Sequence, residues 1–174
     1  MKLWDKGYSI DKKIDIFTVG NDRVLDTVLA RYDIEGNKAQ AAMLCSIGVL
    51  TEKELEDINR ELDDIMQVVD NGEFVIEDTF EDVHSKIEFM LTERLGDTGK
   101  KIHTARSRND QVLVDMHLYT RDEILNIRDG VLRLFELLMS LSEKYKDVLL
   151  PGYTHLQVAM PSSFGLWFGA YAES

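Results

Sequence analysis

The sequence predicts an all-α fold, and three observations support this prediction. Its two prolines, Pro151 and Pro161, both lie late in the chain, so everything before them can be helical. Signals that start and stop helices recur along the first half of the chain. A proline-free stretch over residues 109–145 then carries apolar side chains three and four residues apart, which is the spacing of one long helix.

Two short helices are expected first, over about residues 21–32 and 37–50, divided near Gly36. The next helix begins at Thr51, because Thr51 and Glu54 can form a capping box that satisfies two free backbone N–H groups. Its apolar side chains share one helical face: Leu55, Ile58, Leu62, Ile65, Met66 and Val69. These residues are expected to pack into a core.

The helix that begins at Thr51 is expected to end at Asn71-Gly72, a pair that terminates helices. A further helix is predicted over about residues 78–95, and it stops at Gly96. Late in the chain, Pro151 and the following glycine open a loop, and one more helix starts near Ser162.

The stretch over residues 109–145 predicts a single helix on the order of 55 Å long. Its apolar positions alternate between three and four residue steps: Ile124, Ile127, Val131, Leu134, Leu138, Leu141 and Tyr145. A helix this long needs neighbours from other chains or from further sequence, which indicates a bundle. The domain boundary is expected near residues 99–104. We therefore predict an N-terminal helical domain over residues 1–103 and the incomplete start of a central long-helix bundle over residues 104–174.

Composition excludes several classes of function. The net charge of −12 argues against a nucleic-acid partner, which would meet a basic face, and against an anionic membrane surface. No apolar stretch is long enough for a membrane span, and residues 1–6 lack the apolar region of a secretory signal. A single cysteine, Cys45, lies in an apolar run and is expected to be a buried thiol. A cytoplasmic location follows as the expectation.

A basic turn precedes the long helix. Between Asp97 and Asp110 there is no acidic residue, and four cationic side chains fall in that interval: Lys100, Lys101, Arg106 and Arg108. Arginine binds carboxylates with two parallel hydrogen bonds, and Ser107, Asn109 and the free N–H groups of the helix start would add donors. On spacing alone, the alternative is a solvated turn that caps the helix, with Asn109 as the N-cap.

Two further clusters carry side chains that can do chemistry. His155 follows Thr154 in the loop between the two prolines, where an imidazole could transfer protons; the alternative is an ordinary surface histidine. Asp82 and His84 lie in an acidic stretch, and the alternative there is the first turn of a helix. The four histidines lack HExxH spacing and no GxGxxG turn is present, so neither a metal nor a cofactor is expected.

Taken together, the clusters resemble the first two signature segments of argininosuccinate lyases, within the fumarase/aspartase superfamily. The segments read His-Thr-Ala-Arg-Ser-Arg-Asn-Asp-Gln-Val over residues 103–112 and Gly-Tyr-Thr-His-Leu-Gln over residues 152–157. Residues 33–39 and 81–84 look similar to the same family. The resemblance implies a helical N-terminal domain and a central bundle of five long helices, which four subunits pool in a homotetramer. It also implies that each active site takes residues from three subunits.

The reaction that the resemblance implies is the elimination of arginine from argininosuccinate, with release of fumarate, in arginine biosynthesis. Asn109, with Ser107, Arg108 and the neighbouring Arg106, would bind the carboxylates of the substrate. Thr154 would contact the succinyl end, and His155 would take part in proton transfer. Asp82 and His84 match a supporting region.

This sequence departs from the family pattern at several positions. The family's catalytic serine lies in a Gly-Ser-Ser…Met-Pro-x-Lys loop, which does not occur before Ser174, so the chain is expected to be a fragment that is inactive alone. Asp22 stands where a substrate-contacting serine is expected, and Ala105 replaces a usual glycine. The Gly-Gly-Arg-Phe opening of the family is reduced over residues 4–8.

Two alternatives remain open. The chain could belong to a catalytically silent structural protein of the same fold, as in the related lens crystallins, that uses the long helix for oligomerisation. It could also belong to a lyase of the same superfamily with another substrate, such as adenylosuccinate, aspartate or fumarate itself. The Ser-Arg-Asn-Asp-Gln segment over residues 107–111 is the reason for preferring argininosuccinate.

Overall fold

The computed structural model describes residues 11–174, so the divergent opening at residues 4–8 and the first six residues lie outside the described part. The elements follow in this order: α1 (Lys12–Val19), α2 (Asp22–Leu25), a 3₁₀ helix (Asp26–Leu29), α3 (Ala30–Ser46), α4 (Glu52–Asp70), α5 (Val83–Leu95), α6 (Asp97–Lys100), a second 3₁₀ helix (Lys101–His103), α7 (Arg108–Lys144), β1 (Leu149–Thr154), β2 (Gln157–Ser163) and α8 (Phe164–Ala172). The all-α prediction is confirmed, with one two-stranded sheet added. Among residues 11–174, no helix combines the length and apolar character that a membrane span requires.

Local sequence signals place α4 correctly. Glu54 N–H donates to the Thr51 hydroxyl at 3.2 Å, and Thr51 N–H donates to the Glu54 carboxylate at 2.8 Å, so the predicted capping box is present. The helix ends at Asp70 with Asn71 as its C-cap, as expected. The start predicted for the next helix is wrong, because Asp82 is the N-cap of α5 and accepts from Ser85 N–H at 2.7 Å.

The predicted division near Gly36 is also wrong. α3 runs without interruption through Gly36, and residues 22–29 form one short α-helix followed by a 3₁₀ helix. A glycine inside a helix costs only about 1 kcal/mol relative to alanine, so packing can override it. The turn expected at residues 99–104 is likewise mostly helical, because it contains the end of α6 and the second 3₁₀ helix.

The core lies where α3, α4 and α5 meet. Fully buried side chains come from all three helices, including Ile34 of α3, Leu62 of α4 and Ile87 of α5. Cys45, expected as a buried thiol, is half-buried and packs against this core. Each buried aliphatic side chain stabilises the fold by roughly 1.5–3 kcal/mol, so this cluster fixes the relative positions of the helices that carry the polar site residues.

Backbone contacts divide the chain into a first unit that ends at Thr120 and a second unit, Arg121–Ser174. The first turns of α7 therefore belong to the first unit. The domain boundary expected between residues 103 and 104 stays a prediction.

The second unit contains the end of α7, a β-hairpin and α8. The hairpin, which pairs Thr154 with Gln157 across a two-residue turn, replaces the predicted loop. Both turn residues are left-handed, His155 with φ 48° and Leu156 with φ 63°, as a type I′ hairpin turn requires. Sequence reasoning missed this hairpin because such turns normally carry Asn or Gly at these two positions. α8 starts near the expected position, with Ser163 as its N-cap.

Candidate active site

The basic turn ends in a defined cap for α7. Ser107 N–H donates to Asp110 Oδ2 at 2.8 Å, and Asp110 N–H donates to the Ser107 hydroxyl at 3.4 Å. This reciprocal pair makes Ser107 the N-cap, so the alternative with Asn109 as N-cap is wrong. Asn109 lies in the first turn of α7, and both Ser107 and Asn109 are exposed. The free N–H groups of the helix start thus lie beside two exposed polar side chains.

Two hydrogen bonds tie the turn to α3. Gln40 Nε2 donates to the Thr104 carbonyl at 2.8 Å, and Arg106 Nη2 donates to Asn37 Oδ1 at 2.5 Å. Between these contacts, Ala105 adopts a left-handed conformation with φ 58°. Burial lowers the pKa of Arg106 from its ordinary value, although the side chain keeps its charge at neutral pH.

Arg108 reaches back to α5 from the start of α7. Its guanidinium donates to Gln111 Oε1 at 3.0 Å and to Glu88 Oε2 at 3.4 Å, and its Nε lies 3.7 Å from Asp82 Oδ2. The side chain is half-buried, so these contacts fix its direction. Both arginines expected at the site are therefore held in place by neighbouring helices.

Behind the turn lies a buried polar network centred on Asp33 of α3. Its Oδ1 is 2.9 Å from His84 Nδ1 and accepts from Gln111 Nε2 at 3.3 Å, while its Oδ2 accepts from Asn37 Nδ2 at 2.9 Å. Asp115 Oδ2 lies 3.6 Å from His84 Nδ1. All five side chains are buried, so α3, α5 and α7 are joined by polar contacts among buried groups.

Two titratable groups in contact with one another in this network, His84 and Asp115, have raised pKa values. Burial opposes the charged form of His84, but the hydrogen bond to Asp33 and the nearby carboxylates outweigh it and raise the pKa of the imidazole. Burial, followed by the charge of Asp33, raises the pKa of Asp115 to about 7. Asp115 Oδ2 has no hydrogen-bond partner among residues 11–174, which agrees with a carboxyl group that resists ionisation.

Asp33, His84 and Asp115 are also the kinds of side chain that ligate metals, and one ligand atom from each lies within 4.8 Å of the others. The His84 Nδ1 atom that faces this cluster already contacts Asp33 Oδ1 at 2.9 Å, so it belongs to the hydrogen-bonded network. The arrangement therefore favours a hydrogen-bonded network, and the expected absence of a metal stays a prediction.

A cavity of about 390 Å³ opens beside the turn, between α3 and the start of α7. Its walls come from both helices and from the turn itself: Gly36, Ala39, Gln40, Ala105, Arg106, Asp110, Gln111, Val114 and Asp115. The turn is thus accessible from this side, with the arginine and two carboxyl groups on the wall.

Comparisons with known proteins show the family to which the chain belongs. Residues 8–174 match the sequence model of a family described as Lyase. The chain belongs to this lyase family. It is 61% identical over 173 residues to the argininosuccinate lyase of Parabacteroides distasonis and 59% identical to that of Bacteroides thetaiotaomicron, covering 99% of this chain and 39% of each relative. The chain thus spans about two fifths of the length of these curated relatives.

A solved structure shows the same fold. The fumarate lyase:delta crystallin from Brucella melitensis matches with a TM-score of 0.73 at 19% identity, covering 95% of this chain and 42% of that chain. The resemblance to argininosuccinate lyases predicted from sequence is confirmed at the level of the family, and the helical fold with it.

The structure brings most predicted site residues of the first unit together. Arg108 lies close to Asp82, and His84 belongs to the network behind Arg106. Asp82 is the N-cap of α5, and His84 is buried in the first turn of that helix, so both also have a structural role. Thr154 ends β1 and His155 begins the hairpin turn, both exposed in the second unit.

Sequence reasoning missed four members of the network. Asp33 and Asn37 on α3, and Gln111 and Asp115 on α7, are polar pairs four residues apart, a spacing that puts each pair on one helical face. Polar residues four positions apart are equally typical of a solvent-exposed helix, so this spacing alone did not predict a buried network. Two such pairs were the available signal, since Asp33, Asn37 and Gln111 lie in segments that resemble the family and Asp115 follows one of these segments.

Proposed function

We propose that this chain forms part of an argininosuccinate lyase, which eliminates arginine from argininosuccinate and releases fumarate. The observation that carries the proposal is the basic turn: Ser107 and Asn109 are exposed at the start of α7, with Arg106 and Arg108 fixed behind them. A cytoplasmic location and a role in arginine biosynthesis belong to the same proposal. The names of the curated relatives support the choice of substrate.

The turn is suited to a dicarboxylate. Asn109 and Ser107 can donate to a carboxylate from the exposed side, and the first N–H groups of α7 contribute a positive end. Arg106, which donates to the neutral Asn37 amide, adds positive charge in a chain whose net charge is −12, whereas the charge of Arg108 is partly balanced by Glu88 and Asp82. A planar guanidinium held by neighbours loses little further entropy on binding, which favours affinity for carboxylates.

The elimination requires stabilisation of a carbanion. A base removes a proton from the carbon next to a carboxylate, the C–N bond to the arginine portion breaks, and a C=C bond forms in fumarate. The developing negative charge on that carboxylate needs fixed donors and cations, which the turn supplies. In this scheme Thr154 contacts the succinyl end and His155 takes part in proton transfer, with Asp82 and His84 in support.

We further propose a homotetramer in which Thr154 and His155 of one copy meet the basic turn of another. The exposed apolar face of α7 in the second unit supports assembly, with Ile127, Val131 and Leu134 each more than half exposed. The left-handed conformation of His155 supports a functional role, since strained non-glycine residues cluster at active sites.

A hybrid protein tests the proposal. This chain replaces the 173 aligned residues of the Parabacteroides distasonis argininosuccinate lyase, and fumarate release is followed by its ultraviolet absorbance. We expect the hybrid to cleave argininosuccinate, and N109A or H155A to lower kcat/KM by at least about a hundredfold, as loss of one fixed donor or proton-transfer group does. N126A, an exposed asparagine on the same helix, is the control.

The chain alone should release no fumarate, since the serine loop of the family pattern is missing from it. A hybrid that folds and assembles but leaves argininosuccinate intact would contradict the proposed substrate. Full activity in N109A would contradict the proposed binding turn.

A further inference from the structure

We propose that Asn37 is a positioning residue for this reaction: it links the buried Asp33–His84 pair to Arg106 and thereby sets both the direction and the net charge of the basic turn. The proposal rests on the proposed function and deepens it. Asn37 belongs to α3 and makes neither of its contacts with an exposed residue of the site.

The contacts of Asn37 use both ends of its amide. Nδ2 donates to Asp33 Oδ2 at 2.9 Å, and Oδ1 accepts from Arg106 Nη2 at 2.5 Å, in a side chain that is 2% exposed. A side chain here must donate to a carboxylate and accept from a guanidinium at the same time. An amide does so without a charge of its own.

Asp33 is itself fixed from two further helices. His84 of α5 and Gln111 of α7 both contact its Oδ1, at 2.9 and 3.3 Å. Because Asp33 has a fixed orientation, Asn37 has one too, and so does the guanidinium that Asn37 holds. The position of α5 is thus transmitted to the turn through a chain of buried hydrogen bonds.

The neutral amide also preserves the charge of Arg106. A carboxylate at position 37 would pair with the guanidinium directly and cancel its positive charge, whereas the amide keeps Asp33 one side chain away. Arg106 can then attract a substrate carboxylate toward the turn, where a neutralised arginine could not. Asn37 therefore contributes to affinity without touching the substrate.

A second contact shows that α3 is the support of the turn. Gln40, three residues after Asn37, donates to the Thr104 carbonyl at 2.8 Å. The left-handed Ala105 lies between the two attachment points, so the backbone there is held on both sides. Loss of the Asn37 contact frees the side that carries Arg106.

The experiment uses the hybrid with N37D and N37L, and K38A as the control. Lys38 is the next residue on α3 and pairs on the surface with Asp63. We expect N37L to raise KM for argininosuccinate about tenfold or more with a smaller change in kcat, as misplaced binding groups do. K38A should stay within about twofold of the unsubstituted hybrid, because exposed ion pairs contribute little.

N37D adds a pH signature that a purely structural role would not produce. A protonated carboxyl has the shape of the amide and can donate to Asp33 while accepting from Arg106. Burial and the Asp33 carboxylate raise the pKa of this carboxyl and the Arg106 guanidinium lowers it, while His84 and Asp115 lie on the far side of Asp33. The KM ratio of N37D to the unsubstituted hybrid should therefore be large at about pH 8 and shrink toward about pH 6. The ratio for N37L should not change with pH.

Hydrogen exchange in the 174-residue chain separates this proposal from the proposed function. The Ser107 amide, which donates to Asp110, should exchange faster in N37L than in K38A, while the Leu62 amide in α4 reports that the fold is intact. If the hybrid has no lyase activity but Ser107 exchange accelerates, the proposed function fails and the positioning of the turn stands. Unchanged Ser107 exchange, or an unchanged KM for both N37L and N37D in an active hybrid, overturns the role of Asn37. If N37L does not fold, N37D and the same exchange measurement decide.

Discussion

The two units of this chain differ in what they bury. In the first unit, aliphatic side chains such as Ile34, Leu62 and Ile87 are completely inaccessible to solvent. Of residues 121–174, which the structure describes in full, only Ser163 and Gly165 are buried. The first unit therefore has a core of its own, whereas the second presents apolar side chains that a soluble monomer rarely leaves open.

The long helix α7 shows the same contrast within one element. Its buried residues are polar, Gln111 and Asp115, and both belong to the first unit. In the second unit its apolar residues Ile127 and Leu134 are exposed by 65% and 56%. The usual distribution, with apolar side chains inside and polar ones outside, is reversed along α7. The difference fits the proposal that the first turns of α7 serve the candidate site and the later turns serve an interface between copies.

The largest effect should come from charging that interface. The double substitution L134K and L138K puts two ammonium groups on the apolar face of α7, where burial against a partner would be strongly unfavourable. We expect the hybrid lyase to dissociate to smaller species, with the mass determined by light scattering. N126K with S140K adds the same charge on α7 at two exposed positions outside the line of apolar residues, and it should leave the mass unchanged. An unchanged mass in the first double variant would show that this face is not the interface.

A smaller effect concerns the buried charges of the first unit. The pKa of Asp115, raised from 3.8 to about 7, means that folding stabilises its protonated form. This contribution is complete below about pH 4 and is lost as pH rises to about 7. The free energy of unfolding of the unsubstituted chain should therefore decrease between about pH 4 and pH 7. In D115N this decrease should be smaller, by at most roughly a few kcal/mol, because the amide does not ionise. Unfolding midpoints measured at several pH values test this.

D122N is the matched control, because Asp122 lies on the same helix, is only half-buried and contacts its neighbour Arg121. Carboxyl groups with lowered pKa values, such as Glu54 at about 2, have the opposite effect on stability. Their contribution to the free energy of unfolding is lost as pH falls, and only below about pH 4.5. A pH profile of D115N that coincides with that of the unsubstituted chain would contradict the assignment of this buried proton.

The sequence predicted best those elements whose signals are local. α4 could be located from its capping box and its Asn-Gly end, and α7 from the spacing of its apolar residues. The hairpin could not be predicted, because His155 and Leu156 adopt a turn that their own side chains disfavour. Contacts outside the turn, which a local pattern does not contain, must therefore determine that conformation.

One part of the candidate site could likewise be predicted from local sequence, and another part could not. The basic turn could be predicted, because an interval without acidic residues is unusual in a chain this acidic. The network behind it was not, because Asp33 and Gln111 are 78 positions apart and meet only through packing of the helices. Polar residues on a helix look the same in sequence whether they face water or one another.

The smallest effect concerns the strain in the turn itself. Ala105 has φ 58°, a conformation that disfavours any side chain with a Cβ by about 1–2 kcal/mol, and glycine is the usual residue of the resembling family there. A105G removes this strain but makes the unfolded chain more flexible, so we expect a net gain below about 1 kcal/mol in the free energy of unfolding. A42G, at an exposed position inside α3, should instead lose about 1 kcal/mol. Denaturant unfolding measures the change in the free energy of unfolding for each variant. The two changes should have opposite signs if the first unit holds Ala105 in a strained conformation, and the same sign if it does not.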